Sequence, residues 1–340
     1  MSTVLPPLTG DPVIAPASTA GAIIGALWRR FAAFSIDGIV LGFAGTIIAM
    51  PFFDAFVKLG AWGRLVGFCV ALPYYTLLNS TVGNGQTLGK KMLGLRVVDK
   101  TGSPISLSKS IVRYTVLSVA FFLNQLTLPL SKTPEALLYL IGFIIFGLGF
   151  VTFYLVFFNR HTRQGPHDLI VGSFVVDSNR PGEVTTRPIW IGHWALLGVL
   201  VLTGCLGANL LQKKISKLAD LPSMMADIGR IENIPDVQTA GVSDMRWSSW
   251  GGSHKRIYVV TVRWRGSSGE AEKLANQVAD TILQHDPNAS SRDALQITII
   301  RGYDLGIAHG QVSQTFEDSP GNWNLKLHPD QPVVSPKPAS

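Results

Sequence analysis

The chain has 340 residues, 47% of them hydrophobic and 15% charged, with a formal net charge of +7 and a mean hydropathy of +0.28. Soluble domains carry about 25% charged residues, so this balance excludes an ordinary soluble globular protein. Both cysteines, Cys69 and Cys205, fall in apolar runs, which excludes a disulfide framework or a zinc site built on them.

Residues 1–21 are rich in Pro, Ala, Thr and Ser and lack basic residues. They read as a disordered cytoplasmic arm rather than a secretory signal, which needs a charged start before an apolar run. Arg29 and Arg30 then open an apolar stretch from Phe31 to Phe53, long enough to cross a bilayer. Asp37 stands inside it. A charge in a spanning helix costs at least about 2.5–3.5 kcal/mol, so this carboxylate is expected to face protein or a polar cavity. Arg30 lies about two turns away on the same face and is its expected counter-charge. A second span is expected over Trp62–Thr81, containing Pro73, with Arg64 reaching outward from its start.

The next segment runs Gly85-Gln86-Thr87-Leu88-Gly89-Lys90-Lys91. It departs from a nucleotide-binding loop, because Gly85 stands only four residues before Gly89 and Lys91 replaces the required Ser or Thr. Lys90 and Lys91 read as inside-facing anchors, or as a loop folded back on the bundle mouth or binding anionic headgroups. Leu95–Asp99 and Pro104–Leu107 read as a short strand, a turn and a return.

A third span over Ile111–Leu130 is less clean, since it carries Arg113, Asn124 and Gln125. The run from Ala136 to Phe158 is the most apolar of the chain. In the polar segment Asn159–Asp177, His167 and Asp168 are neighbours and point different ways on any regular element, so they make no ready dyad. A last span runs over Ile189–Leu211. With five spans and the N-terminus inside, the cytoplasmic face collects most basic residues, including Arg29, Arg30, Lys90, Lys91, Arg160 and Arg163, while the short outer loops hold Lys58 and Lys132.

Beyond residue 211 the composition is that of a soluble domain. A helix broken at Pro222 is expected over Ile215–Ile228. Arg256–Trp264 alternates as a half-buried strand, with Tyr258, Val260, Val262 and Trp264 on one face. Ser267 and Glu270 suit a capping box for a helix whose apolar stripe is Ala271, Leu274, Ala275, Val278, Ala279, Ile282 and Leu283. Leu295–Arg301 and Tyr303–Phe316 supply further strands. The expected fold is therefore an α-helical polytopic membrane protein of about five transmembrane helices with a small C-terminal α+β extramembrane domain. The divisions are a membrane domain at 22–178, a linker and last helix at 179–211, the α+β domain at 212–328 and a disordered tail at 329–340.

Three blocks carry a family resemblance: Arg30 to Asp37 in the first span, Gly85 to Val98, and His167 to Val176. In this order they resemble the RDD family of bacterial membrane proteins, named for one arginine and two aspartates. These correspond here to Arg30, Asp37 and Asp168, and the resemblance covers about residues 22–178. It implies a multi-pass protein of the bacterial inner membrane and points to transport of ions or small solutes, with cation/proton exchange among the options. Five spans are few for a lone transporter, so a homo-oligomer is expected with it. The competing expectation is a non-catalytic scaffold in which Arg30, Asp37 and Asp168 form a structural charge network and the outer domain binds an envelope partner. No nucleophile–base–oxyanion constellation is present. An enzyme, a metal, a cofactor and a nucleic-acid partner are therefore not expected; lipid, and cations or protons, are. Gly85, Thr87, Gly89 and Lys90 are the loop residues to locate.

Overall fold

The structure is a computed structural model that describes residues 21–180, 182–185, 188–215, 220–248, 254–286 and 288–330. The expected disordered arm and tail lie almost wholly outside the described residues.

Helix α1 (Leu27–Ala49) buries Ala33, Asp37, Leu41, Gly45 and Ala49, one residue in every four, so a single narrow stripe faces protein. A helical turn (Met50–Phe52) leads into α2 (Phe53–Leu59), and a second turn (Gly60–Trp62) leads into α3 (Gly63–Leu78). Gly60, at φ 56°, reverses the chain between α2 and α3. Leu41 of α1 then packs with Ala71 and Tyr75 of α3. The apolar stretch Leu27–Leu78 is thus an antiparallel hairpin rather than one rod.

After α3, the short helix α4 (Leu88–Met92) precedes strand β1 (Leu95–Val98). Its expected return over 104–107 does not pair with it. The antiparallel partner is β2 (Phe174–Asp177), with Val97 opposite Val175. Between them lie α5 (Leu107–Leu123), α6 (Glu135–Phe143), a π-helical turn (Ile144–Leu148), α7 (Gly149–Phe158) and α8 (Pro166–Val171). Helix α9 (Ile191–Ile215) follows β2.

By length and apolarity three helical stretches suit a membrane: Leu27–Leu78, Glu135–Phe158 and Ile191–Ala208. The expected span over 111–130 is not among them. Helix α5 ends at Leu123, and Gln125 takes a left-handed backbone at φ 61°.

The C-terminal domain contains α10 (Leu221–Glu232), β3 (Val237–Ser248), β4 (His254–Trp264), α11 (Ala271–His285), β5 (Ala294–Asp304), β6 (His309–Asp318) and α12 (Pro320–Leu327). Helix α10 begins at the expected break, with Pro222 in its first turn, where proline is suited. The sheet order is β3-β4-β5-β6, with β4 and β5 parallel and the other pairs antiparallel. Parallel strands need a crossover, and α11 supplies it. The stripe read from α11 packs on Tyr258, Val260 and Val262 of β4 and Ile297 and Ile299 of β5. The capping box does not form. Ser267 makes no side-chain cap, and its carbonyl instead accepts the Glu270 N–H at 3.0 Å in a 3-10 turn.

The domain is seated on the end of the bundle that carries α2. The tip of the β5–β6 hairpin, Leu305–Ala308, enters between α1, α3 and α5. Leu305 packs with Ala49, Phe56 and Tyr303, and Ile307 lies against the α1–α3–α5 core. Glycines make the notch. A Cβ on Gly67 would collide with the Leu305 carbonyl oxygen, and one on Gly45 would stand 2.8 Å from the Ala308 side chain. Arg64, expected to snorkel, is instead buried. It pairs with Asp304 at 2.6 Å and donates to the carbonyls of Phe122 and Asn124 at the end of α5. Glu232 of the domain accepts the N–H groups of Leu130 and Ser131 at 3.1 and 2.9 Å.

Gly67→Val should therefore unseat the hairpin. A loss of about 1–3 kcal/mol is expected, as for overpacking a filled core, with faster protease cleavage of the C-terminal domain in detergent. An unchanged digestion pattern and melting temperature would contradict the seating.

Candidate functional site

The charged residues of the bundle gather at the end away from the C-terminal domain. Asp168, fully buried, is in the first turn of α8 and receives donors from several elements. Arg113 of α5 donates through Nε to Oδ1 at 2.7 Å, and the Ser173 hydroxyl donates to the same oxygen at 2.8 Å. Arg30 of α1 reaches Oδ2 at 3.5 Å and also donates to the Arg163 carbonyl at 2.6 Å. His167 Nε2 lies 3.3 Å from Oδ2. The two neighbours read as pointing apart do meet, because the short α8 ends at Gly172 and Ser173 folds back on Asp168. Burial alone would raise the Asp168 carboxyl, but Arg113, His167 and Arg30 hold it well below the usual carboxylate range. Burial lowers the His167 imidazole below its usual value, against the opposing pull of Asp168.

Asp37 does not pair with Arg30. No salt bridge involves its carboxylate among the described residues, although it too has no exposure. Its partners are neutral donors from two elements: the Tyr74 hydroxyl of α3 at 2.7 Å, the Thr87 hydroxyl at 2.6 Å and the Gly89 N–H at 2.8 Å. Thr87 caps α4, accepting from the Lys90 N–H, and its oxygen also lies 3.3 Å from the Lys90 ammonium. Thr87 thus bridges Lys90 to Asp37. The loop motif explains itself here. Gly85 takes φ 71°, and a Cβ on Gly89 would run into the Ala33 carbonyl and stand 3.0 Å from Asp37 Oδ1. Glycine at 89 lets α4 lie against α1.

Lys90 is half-buried, folded back on the bundle mouth rather than standing free. Burial and then the neighbouring Arg113 push its ammonium down to about 7, while Asp37 pulls the other way. At the same end, Arg29 donates to Asp177 at 2.7 Å and to the Leu93 and Gly94 carbonyls, pinning α1 to both strands at one end of the β1–β2 ribbon. The sequence reading found Arg30, Asp37 and Asp168 but not their grouping. It passed over Arg113, which joins Asp168, and Tyr74, which joins Asp37. A basic residue in an otherwise apolar helix was the available signal for Arg113.

These features define a helical bundle of membrane type with two buried carboxylates, one held by fixed cations and one by neutral donors beside a titratable amine. The RDD family model matches residues 24–172, the part of the chain that holds both carboxylates. The last helix and the C-terminal domain lie outside the match. Among curated relatives, the uncharacterized protein YxaI of Bacillus subtilis (strain 168) is 28% identical over 171 residues, covering 44% of this chain and 94% of that protein. The uncharacterized protein YckC of the same organism is 28% identical over 109 residues, 32% of this chain and 58% of that protein.

Two outcomes follow from the geometry. Asp168→Asn leaves Arg113 buried without its anion and should cost about 3–5 kcal/mol, read as a lowered detergent melting temperature. For Lys90 the unfolded chain binds the proton more tightly than the native state, so stability rises with pH between about 7 and the free lysine value of 10.5. Lys90→Met should abolish that rise, and parallel melting curves for the two proteins across this window would contradict the assignment.

Proposed function

We propose that this protein is an integral membrane protein whose RDD domain exchanges protons for small cations, with Asp37 as the cation-attracting carboxylate. The observation that carries this reading is that Asp37 is buried without an ion-pair partner and is joined through Thr87 to Lys90. When Lys90 is protonated, its charge offsets that of Asp37. When Lys90 gives its proton to water at the mouth, a buried negative charge is left uncompensated and attracts a monovalent cation. One proton leaves and one cation enters, so the charge in the site is conserved. Asp168 serves a different purpose. Guanidinium groups do not deprotonate near neutrality, so Arg30 and Arg113 hold Asp168 permanently and fix the mouth of the bundle. In this reading the charged mouth is cytoplasmic, as its basic residues favour, and the C-terminal domain is extracytoplasmic.

A second reading, a non-catalytic scaffold, is favoured by one observation. The C-terminal hairpin tip fills the bundle between α1, α3 and α5, as a structural joint does.

Reconstituted wild-type protein should collapse an imposed pH gradient when sodium or potassium is added. Asp37→Asn should remove this flux with normal folding, and so should Lys90→Met, which takes away the exchanged proton. Absence of cation-evoked proton flux from folded, reconstituted wild type would sink the transport reading and leave the scaffold.

A further inference from the structure

At the opposite end of the bundle from Asp37, an open cleft of about 600 Å³ separates α2 from the C-terminal domain. Ligand sites usually fall in the range of about 300–1,000 Å³ and favour domain interfaces. Its lining includes Lys58, Asp236, Arg265, Ser267, Ser268 and Arg301. Arg301 is committed, pairing with Asp54 at 2.7 Å and donating to the Gly266 carbonyl at 2.5 Å. Lys58 and Arg265 are not. Neither side chain makes a hydrogen bond or ion pair with any described residue, and neither do the hydroxyls of Ser267 and Ser268. Two free cations and two free hydroxyls therefore face one cleft, with Asp236 as the single uncommitted carboxylate. Gly60 gives Arg265 its room, since a Cβ there would stand 2.9 Å from the Arg265 Nη2.

The depth of the cleft narrows the ligand. Phe52, Leu59 and Trp62 flank α2 and are 57%, 38% and 71% exposed. An exposed tryptophan at the end of an apolar helix hairpin, here Trp62, marks the headgroup level of a bilayer. A cleft at that level, lined by uncommitted cations and hydroxyls rather than apolar side chains, fits the polar part of a lipid and not its tails.

We propose that this cleft binds a phosphate ester, with Lys58 and Arg265 holding the phosphate oxygens and Ser267 and Ser268 donating to them. Asp236 is then left to receive a hydroxyl or ammonium of the same ligand. This chemistry has two sources, the headgroup of a phospholipid in the adjoining leaflet or a free phosphate compound. The site is independent of cation exchange at Asp37, and its test needs no flux measurement.

The test uses the full chain, delipidated in neutral detergent, and follows binding by melting temperature and native mass spectrometry. The probes are dihexanoyl-phosphatidylglycerol, glycerol 1-phosphate, inorganic phosphate and the uncharged dihexanoylglycerol. Saturable stabilisation by the phospholipid, weakened tenfold or more in Lys58→Gln/Arg265→Gln, supports a headgroup site. Equal binding of glycerol 1-phosphate or inorganic phosphate, with the same loss in the double variant, supports the free compound. Arg265→Lys should retain most of the binding, which separates lost charge from lost folding. Lys255→Gln, which breaks only the exposed pair with Glu317 on β6, should bind as wild type does. Binding of no phosphate probe, or binding unchanged in a folded double variant, overturns the proposal.

Discussion

One buried carboxylate organises the charged end of the molecule. Asp168 has no solvent exposure, and moving an ion out of water costs several kcal/mol unless its lone pairs are all met. They are met by Arg113 from α5, Arg30 from α1, His167 beside it and Ser173 just before β2. Arg113, Arg30 and the 167–173 stretch are far apart in sequence, so the anion is stable only where three pieces of chain converge. The same requirement runs in reverse. Arg113 sits inside an otherwise apolar helix and could not remain there without an anion. The β1–β2 ribbon, held to α1 by Arg29, closes the same end.

Asp37 stands in contrast to it. Both carboxylates are buried, yet one is ringed by guanidinium groups and the other by a phenol, a hydroxyl and a backbone amide. A guanidinium keeps its charge at any physiological pH, whereas the Lys90 ammonium, brought down to about 7, does not. The molecule thus holds one buried carboxylate with fixed cations and the other beside a titratable amine.

Much of this was legible in the residues, and the failures have physical causes. The α1 and α3 hairpin, the α11 stripe and the alternation of β4 were readable because each element buries one face and repeats at its own period. Strand β3 was missed because Val237–Ser248 reads Val-Gln-Thr-Ala-Gly-Val-Ser-Asp, with too little apolar contrast to show a period. The pairing of β1 with β2 joins residues nearly eighty positions apart, and no local pattern reports it. Arg30 was matched to Asp37 because seven residues place them on one helix face. That argument cannot see a third residue arriving from α8, and the guanidinium turned to Asp168. Arg64 failed likewise, since its partner Asp304 belongs to another domain.

The seating of the β5–β6 tip has a consequence for how the molecule is made. The ribosome delivers Leu305 roughly 240 residues after Gly67, which at about 5–20 residues per second is a delay of about 12–50 s. Through that interval the first helices exist with an unfilled slot between them. Completion of the bundle is therefore the last event of synthesis rather than the first, and a prematurely terminated chain leaves a product whose seam stays open.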